Sequence, residues 1–231
     1  MHKQAHSVAG VSIFKQRLLH RLKALAAESK QDDFMMPIGL VLAIDKKNGG
    51  DVTAQELVSR FGLIDFESRN VIDFYFLGWN SSGSIDLPEI SFDLASFNEF
   101  RVALRAAGVR EFGGNADLIL VDAQYASGNV YLHFEEAIRI DLSSSYEEKN
   151  FPTLGAFLQS LIEAAQRVND DKGIQESGES VFSISDKLGL AIARKSLLSF
   201  FLEKFGKVIG ANKLATVAVR NLGPRVRLRE F

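Results

Sequence analysis

The chain contains no cysteine, which removes disulfides, thiolate metal sites and a cysteine nucleophile together. Its absence fits a reducing compartment. Tryptophan occurs once and tyrosine four times against eighteen phenylalanines, so the expected core is filled with aromatics that need no hydrogen-bond partner. Long apolar runs are missing as well. The longest, FMMPIGLVLAI at 34–44, falls well short of the roughly 20 residues that span a bilayer. The first residues lack the basic-then-apolar pattern of a signal peptide. The expectation is a soluble cytoplasmic protein with no membrane contact.

Catalytic signatures are equally scarce. No Gly-x-Ser-x-Gly or His-Glu-x-x-His element occurs. His2, His6 and His20 sit in or near the first predicted helix, which leaves His133 as the only histidine of the body. A histidine-rich metal site is therefore not expected. Asp45 to Glu56 (DKKNGGDVTAQE) imitates a calcium loop, but Lys47 and Gly49 stand where oxygen ligands are required, so a glycine-rich turn is the better reading. FGGNAD (112–117) precedes a predicted strand and has too few glycines for a dinucleotide or phosphate loop. No cofactor is implied.

What is present is an ordinary globular composition, 46% hydrophobic and 24% charged, in 231 residues that can bury a sizeable core. The net charge of −2 hides a segregation. Residues 1–31 hold six Lys/Arg and one acid, net +5; residues 32–186 hold 11 and 26, net −15; residues 187–231 hold ten and two, net +8. Such asymmetry marks either contact with a polyanion or basic ends that fold onto an acidic middle, in the same chain or in a second copy. The second is preferred, because the field as a whole is not basic.

Val11, Phe14, Leu18, Leu22 and Leu25 recur at helical spacing with Lys15, Arg21 and Lys23 off the stripe, predicting a basic amphipathic first helix over 11–28. Residues 36–44 read as a buried strand. Capping boxes at Thr53–Glu56 and Ser96–Glu99 open a short helix at 53–61 and another that stops near Gly108. GLIDF and VIDFYFLGW read as a hairpin, and NSSGSIDLPE (80–89) as a loop. Strands follow at about 117–123, 129–135 and 137–142, then a helix with the stripe Leu154, Phe157, Leu158, Leu161, Ile162, Ala165 and Val168. A polar acidic linker at 169–180, a long helix at 188–205 and a last hairpin around Gly223–Pro224 complete the reading. The fold class is α+β: a mostly antiparallel sheet with packed helices, a basic N-terminal helix, and a C-terminal helix plus β-hairpin. Residues 1–168 form the core domain, and 181–231 a basic segment packed on it.

Two stretches attract a functional reading. VDAQYASGNVYLHFEEAIRIDL (121–142) gathers acids and a histidine on strands. A metal-dependent hydrolase here would use Asp117, His133 and Glu135. Yet no lysine follows where a nuclease would need one, and the alternation matches the solvent face of a half-buried sheet, which is preferred. In GPRVRLREF, Arg225, Arg227 and Arg229 fall on one strand face at roughly 6–7 Å intervals, a spacing able to clamp phosphates or carboxylates. The preferred expectation is that they pair with acids of 32–186, since that acidic middle needs partners. The overall reading leans away from catalysis, toward a protein-interaction module (a subunit, adaptor or inhibitor) whose partner is another protein or a second copy. A nucleic-acid-associated protein using the basic C-terminal segment is the alternative.

Overall fold

In a computed structural model of the chain, the residues described are 5–30, 32–50, 53, 56–57, 72–83, 88–109, 116–135, 137–147, 153–159, 161–162 and 218–231. In chain order they form β1 (Ala5–Val8), α1 (Val11–Ser29), β2 (Asp33–Ala43), β3 (Asp73–Leu77), β4 (Trp79–Gly83), β5 (Pro88–Phe92), α2 (Leu94–Ala106), β6 (Ala116–Ala126), β7 (Asn129–His133), β8 (Ile138–Asp141), α3 (Leu142–Glu147), β9 (Ala218–Arg220) and β10 (Arg225–Arg227). Residues 154–159 and 161–162 are helical.

The centre is the antiparallel pair β2–β6, matched from Asp33↔Ala126 to Ala43↔Ala116. Nearly every residue of β2 is buried, which is why its sequence is a continuous apolar run and not an alternation. β3 lies beside β2 and β1 beside β3, both in parallel register. On the other side β7 pairs with residues 123–126 of β6 and β8 with residues 117–120, all antiparallel. β10 then extends β7, and β9 extends β8. The fold is α+β with a mixed, mostly antiparallel sheet, as expected.

Both faces are covered. Phe14, Leu18 and Leu22 of α1 and Phe97, Phe100 and Leu104 of α2 pack on Ile38, Leu40, Leu42, Ile119 and Val121. The opposite face, with Val41, Phe74, Phe76 and Leu118, receives Leu154, Phe157, Leu158, Leu161 and Ile162. The predicted stripe of α1, and that of the second helix as far as Ile162, are therefore real core faces, while Ala165 and Val168 lie outside the described residues. α2 begins earlier than its expected capping box: Asp93 is the N-cap and accepts from the backbone N–H of Ala95 and Ser96, while Glu99 is exposed.

Three local expectations are corrected. GLIDF lies outside the described residues, and among those described both edges of β3 are occupied, by β1 and β2, where the expected hairpin would need one of them. The 19-residue helix α1 joins β1 to β2, so these two strands run in the same direction on either side of β3. The stretch 80–89 is not simply a loop, since β4 and β5 pair from Trp79↔Phe92 to Gly83↔Pro88. The last hairpin is not formed either. β9 and β10 bond to different neighbours, because the chain between them follows the β7–β8 corner: Asn221 N–H donates to Ala137 O at 3.2 Å and Leu222 N–H to Phe134 O at 2.9 Å. After β2, Asn48 and Gly50 N–H both donate to Asp45 O, closing the expected glycine-rich turn. The linker at 169–180, the helix at 188–205 and most of the helix at 53–61 lie outside the described residues. Among the described residues no helix is long and apolar enough to cross a membrane.

Candidate functional site

Side chains alternate across β6, so Leu118 faces the 154–162 helix while Ile119, Val121 and Ala123 face α1. Toward its far end the Leu118 face turns polar, with Asp122 and Gln124 both buried. The register carries this face across three strands. Gln124 stands opposite Tyr131 of β7; Tyr131 is matched with Arg227 and His133 with Arg225 on β10. On the other side Gln124 is matched with Met35, two residues from Asp33. A two-residue turn fixes the β6–β7 register: Ser127 and Gly128 both hold positive φ, 50° and 76°, the backbone that matches strand twist in tight hairpins.

The contacts form one continuous network. Gln124 Nε2 donates to Asp33 Oδ1 at 2.8 Å and Oδ2 at 3.0 Å. Gln124 Oε1 accepts from Arg225 Nη2 at 2.6 Å and lies 2.9 Å from His133 Nε2. His133 Nδ1 lies 3.0 Å from Glu135 Oε1. The Arg225 guanidinium sits 4.2 Å over the Tyr131 ring, within cation–π range. Arg227 Nη2 donates to Asn129 Oδ1, and Arg227 Nε is buried with no hydrogen-bond partner among the described residues. Both arginines are therefore held by neutral amides, and among the described residues neither forms an ion pair with a carboxylate. The expected pairing with acids of 32–186 does not describe these two.

The candidates foreseen in the sequence are thus partly united. His133 and Glu135 are brought together with Arg225 and Arg227, because β10 lies along β7. Asp117 does not join them. It is an odd-numbered residue of β6, on the α1 face and at the opposite end of the strand, fully buried, with Arg139 Nε 3.9 Å from its Oδ1. The Asp117–His133–Glu135 set is not assembled. Among the described residues no three His, Asp or Glu side chains are arranged to hold a metal ion. Arg229 also leaves the group: the chain turns into a 3-10 helix at Leu228–Glu230. Its exposed side chain lies 3.7 Å from Glu230, and its carbonyl accepts from Lys15 Nζ.

Sequence reasoning missed Gln124, Asp33 and Asn129. Gln124 carried one usable signal, a polar residue at a position of β6 that alternation assigns to the same face as Tyr131. A second polar element sits under α1, where Arg21 Nε donates to Asp73 Oδ2 at 3.0 Å and Nη2 to Oδ1 at 3.4 Å, both side chains buried. Tyr75 lies beside them. Burial, and then the Asp73 charge, push its phenol well above the ordinary tyrosine range, against a smaller opposing effect of Arg21. No family model, curated protein or solved structure matches this chain.

Proposed function

We propose that this chain is a non-catalytic interaction module that recognises an acidic segment of a partner protein on the face of β6, β7 and β10. One observation carries the reading: Arg225 and Arg227 are oriented by the uncharged amides of Gln124 and Asn129. Hydrogen-bonded to acids instead, they would be internally neutralised; held by amides, they keep their charge for an incoming carboxylate, which a guanidinium receives through two parallel N–H groups. The net +8 of residues 187–231 adds long-range steering toward an acidic surface. A second copy of the chain, with its acidic stretch 32–186, is a partner of the same chemistry. A chain without cysteine is compatible with a reducing, cytoplasmic setting.

Nucleic acid is the second reading. It is favoured by the stack of Arg225 on Tyr131, a platform that a base could extend. The overall charge of −2 weighs against a phosphate backbone as the main partner.

The test is affinity capture of the tagged full chain from its native host, beside the variant Arg225→Ala/Arg227→Ala, each with and without nuclease. A stoichiometric protein retained after nuclease and lost from the double variant is the expected result. Partners that vanish with nuclease would move the assignment to nucleic acid. A protein captured equally by both forms would refute this face as the site.

A further inference from the structure

The network that holds the two arginines also constrains where its protons sit. The Asp33 carboxylate can only accept, and both its oxygens face Gln124 Nε2. The amide therefore has one satisfactory orientation, with Oε1 turned to Arg225 and His133. Because Oε1 is an acceptor, His133 must present N–H from Nε2. The other ring nitrogen, Nδ1, faces Glu135 Oε1, a second acceptor. Only the imidazolium form, with a proton on each nitrogen, satisfies both contacts. A neutral ring with its proton on Nε2 sets a lone pair against the Glu135 carboxylate. With its proton on Nδ1 it sets one against Gln124 Oε1, and Arg225 is left as the only donor to that oxygen.

We propose that Gln124 is the positioning residue of the anion-binding face, coupling the protonation of His133 to the placement of the Arg225 guanidinium. This deepens, and rests on, the reading of the face as a receptor for acidic groups. Three groups surround His133: Glu135 past the end of its own strand, Gln124 from β6, and its register partner Arg225 from β10. Tyr131 and Arg227 stand one pleat further along, and Asp33 of β2 acts through Gln124. Protonation adds a positive charge beside the two guanidiniums and supplies the second donor that fixes Gln124 Oε1. The charged Glu135 carboxylate is the stronger acceptor and keeps the remaining proton on Nδ1, so the proton lost is the one on Nε2 and both effects go with it. Affinity for an acidic ligand is then highest when His133 is protonated and falls as it titrates. By reciprocity, bound ligand favours proton uptake. The neutrality of Gln124 is equally necessary, because a carboxylate in its place would occupy Arg225 directly.

The experiment has two arms on the full chain. The first follows the His133 ring and Arg225 guanidinium nitrogens by NMR as a function of pH, in the free wild type and in Gln124→Met, which keeps the side-chain volume. Arg225 is expected to move in step with the wild-type ring and to lose that coupling in Gln124→Met. An Arg225 signal indifferent to the ring in the wild type, or equally coupled in the variant, overturns the proposal. The second arm measures binding of a fluorescent glutamate oligomer at low salt. Wild-type affinity should fall as His133 loses its proton. Gln124→Met should bind roughly tenfold more weakly at the acidic end, the size of one lost hydrogen bond to a charged group, and with little pH dependence. Arg229→Ala, off this face, should match the wild type. Coupling seen by NMR with no oligomer bound refutes the acidic-ligand reading alone. Oligomer bound without coupling refutes the role of Gln124 alone.

Discussion

Replacing Arg21 by Met should destabilise this protein far more than an ion-pair deletion on a helix surface ordinarily does. Arg21 belongs to α1, but its side chain is only 8% exposed and its partner Asp73 is 0% exposed on β3. Two N–H groups reach the two carboxylate oxygens, at 3.0 and 3.4 Å. Methionine preserves most of the aliphatic stem, so lost packing contributes little. What remains is a carboxylate out of reach of water with this cation removed, a situation that ordinarily lowers stability by about 3–5 kcal/mol. For a urea slope of about 2 kcal/mol per molar, the unfolding midpoint should drop by roughly 1.5–2.5 M. The double variant Arg21→Met/Asp73→Leu should regain most of this loss, since an apolar pair of similar volume carries no desolvation penalty. The assay is urea unfolding of the wild type, both single variants and the double variant. A loss below about 1 kcal/mol for Arg21→Met, the size seen for exposed pairs, would refute the reasoning, as would a double variant no more stable than the single.

Two further outcomes follow from the same core. Gly39→Ala should destabilise by about 1–3 kcal/mol by overpacking, although alanine normally improves on glycine inside a strand. A Cβ at Gly39 would lie 2.5 Å from Cδ1 of Phe74, whose ring is fully buried; urea unfolding with no loss would show that the ring can yield. Tyr75 keeps its proton in the folded state well above the ordinary tyrosine value, so its contribution is complete below that value and is lost as pH rises from there through the raised folded-state value. Stability measured between about pH 8 and 11 should therefore decline less steeply in Tyr75→Phe than in the wild type, and equal slopes would contradict the shift.

Legibility in the sequence divided along a physical line. The α1 stripe, the helix from Leu154 and the α+β class were readable because helical and strand periodicities are local properties of consecutive residues. Arg21 shows the limit of that reading. It was placed off the stripe by its charge, yet Asp73 draws it inward, and nothing within the helix announces a carboxylate 52 residues away. The polar segment after Trp79 hid a hairpin because Asn, Ser and Gly suggest turns, whereas its first strand is anchored by Trp79 Nε1 donating to Ala43 O at 2.9 Å. For the site, alternation places Tyr131 and His133 on one face of β7 and sets Asp117 and Asp122 on opposite faces of β6. It could not reveal that Arg225 lies beside His133, because strand adjacency over some ninety residues depends on the whole sheet and leaves no local trace.

The ring of Phe231 lies parallel to that of Phe134 at 6.3 Å between centroids, and tilted against Phe14 at 5.7 Å. Phe14 and Phe231 are separated by most of the sequence, and β10, which completes the arginine face, belongs to that same late stretch. At typical synthesis rates of about 5–20 residues per second, α1 emerges from the ribosome roughly 10–40 seconds before the aromatic ring that finally covers it. During that interval the nascent chain has an apolar stripe to shield and lacks the two arginines of β10. On the proposed function, recognition of an acidic partner would become available only once β10 has paired with β7, so a copy truncated before Arg225 should not compete for such a partner.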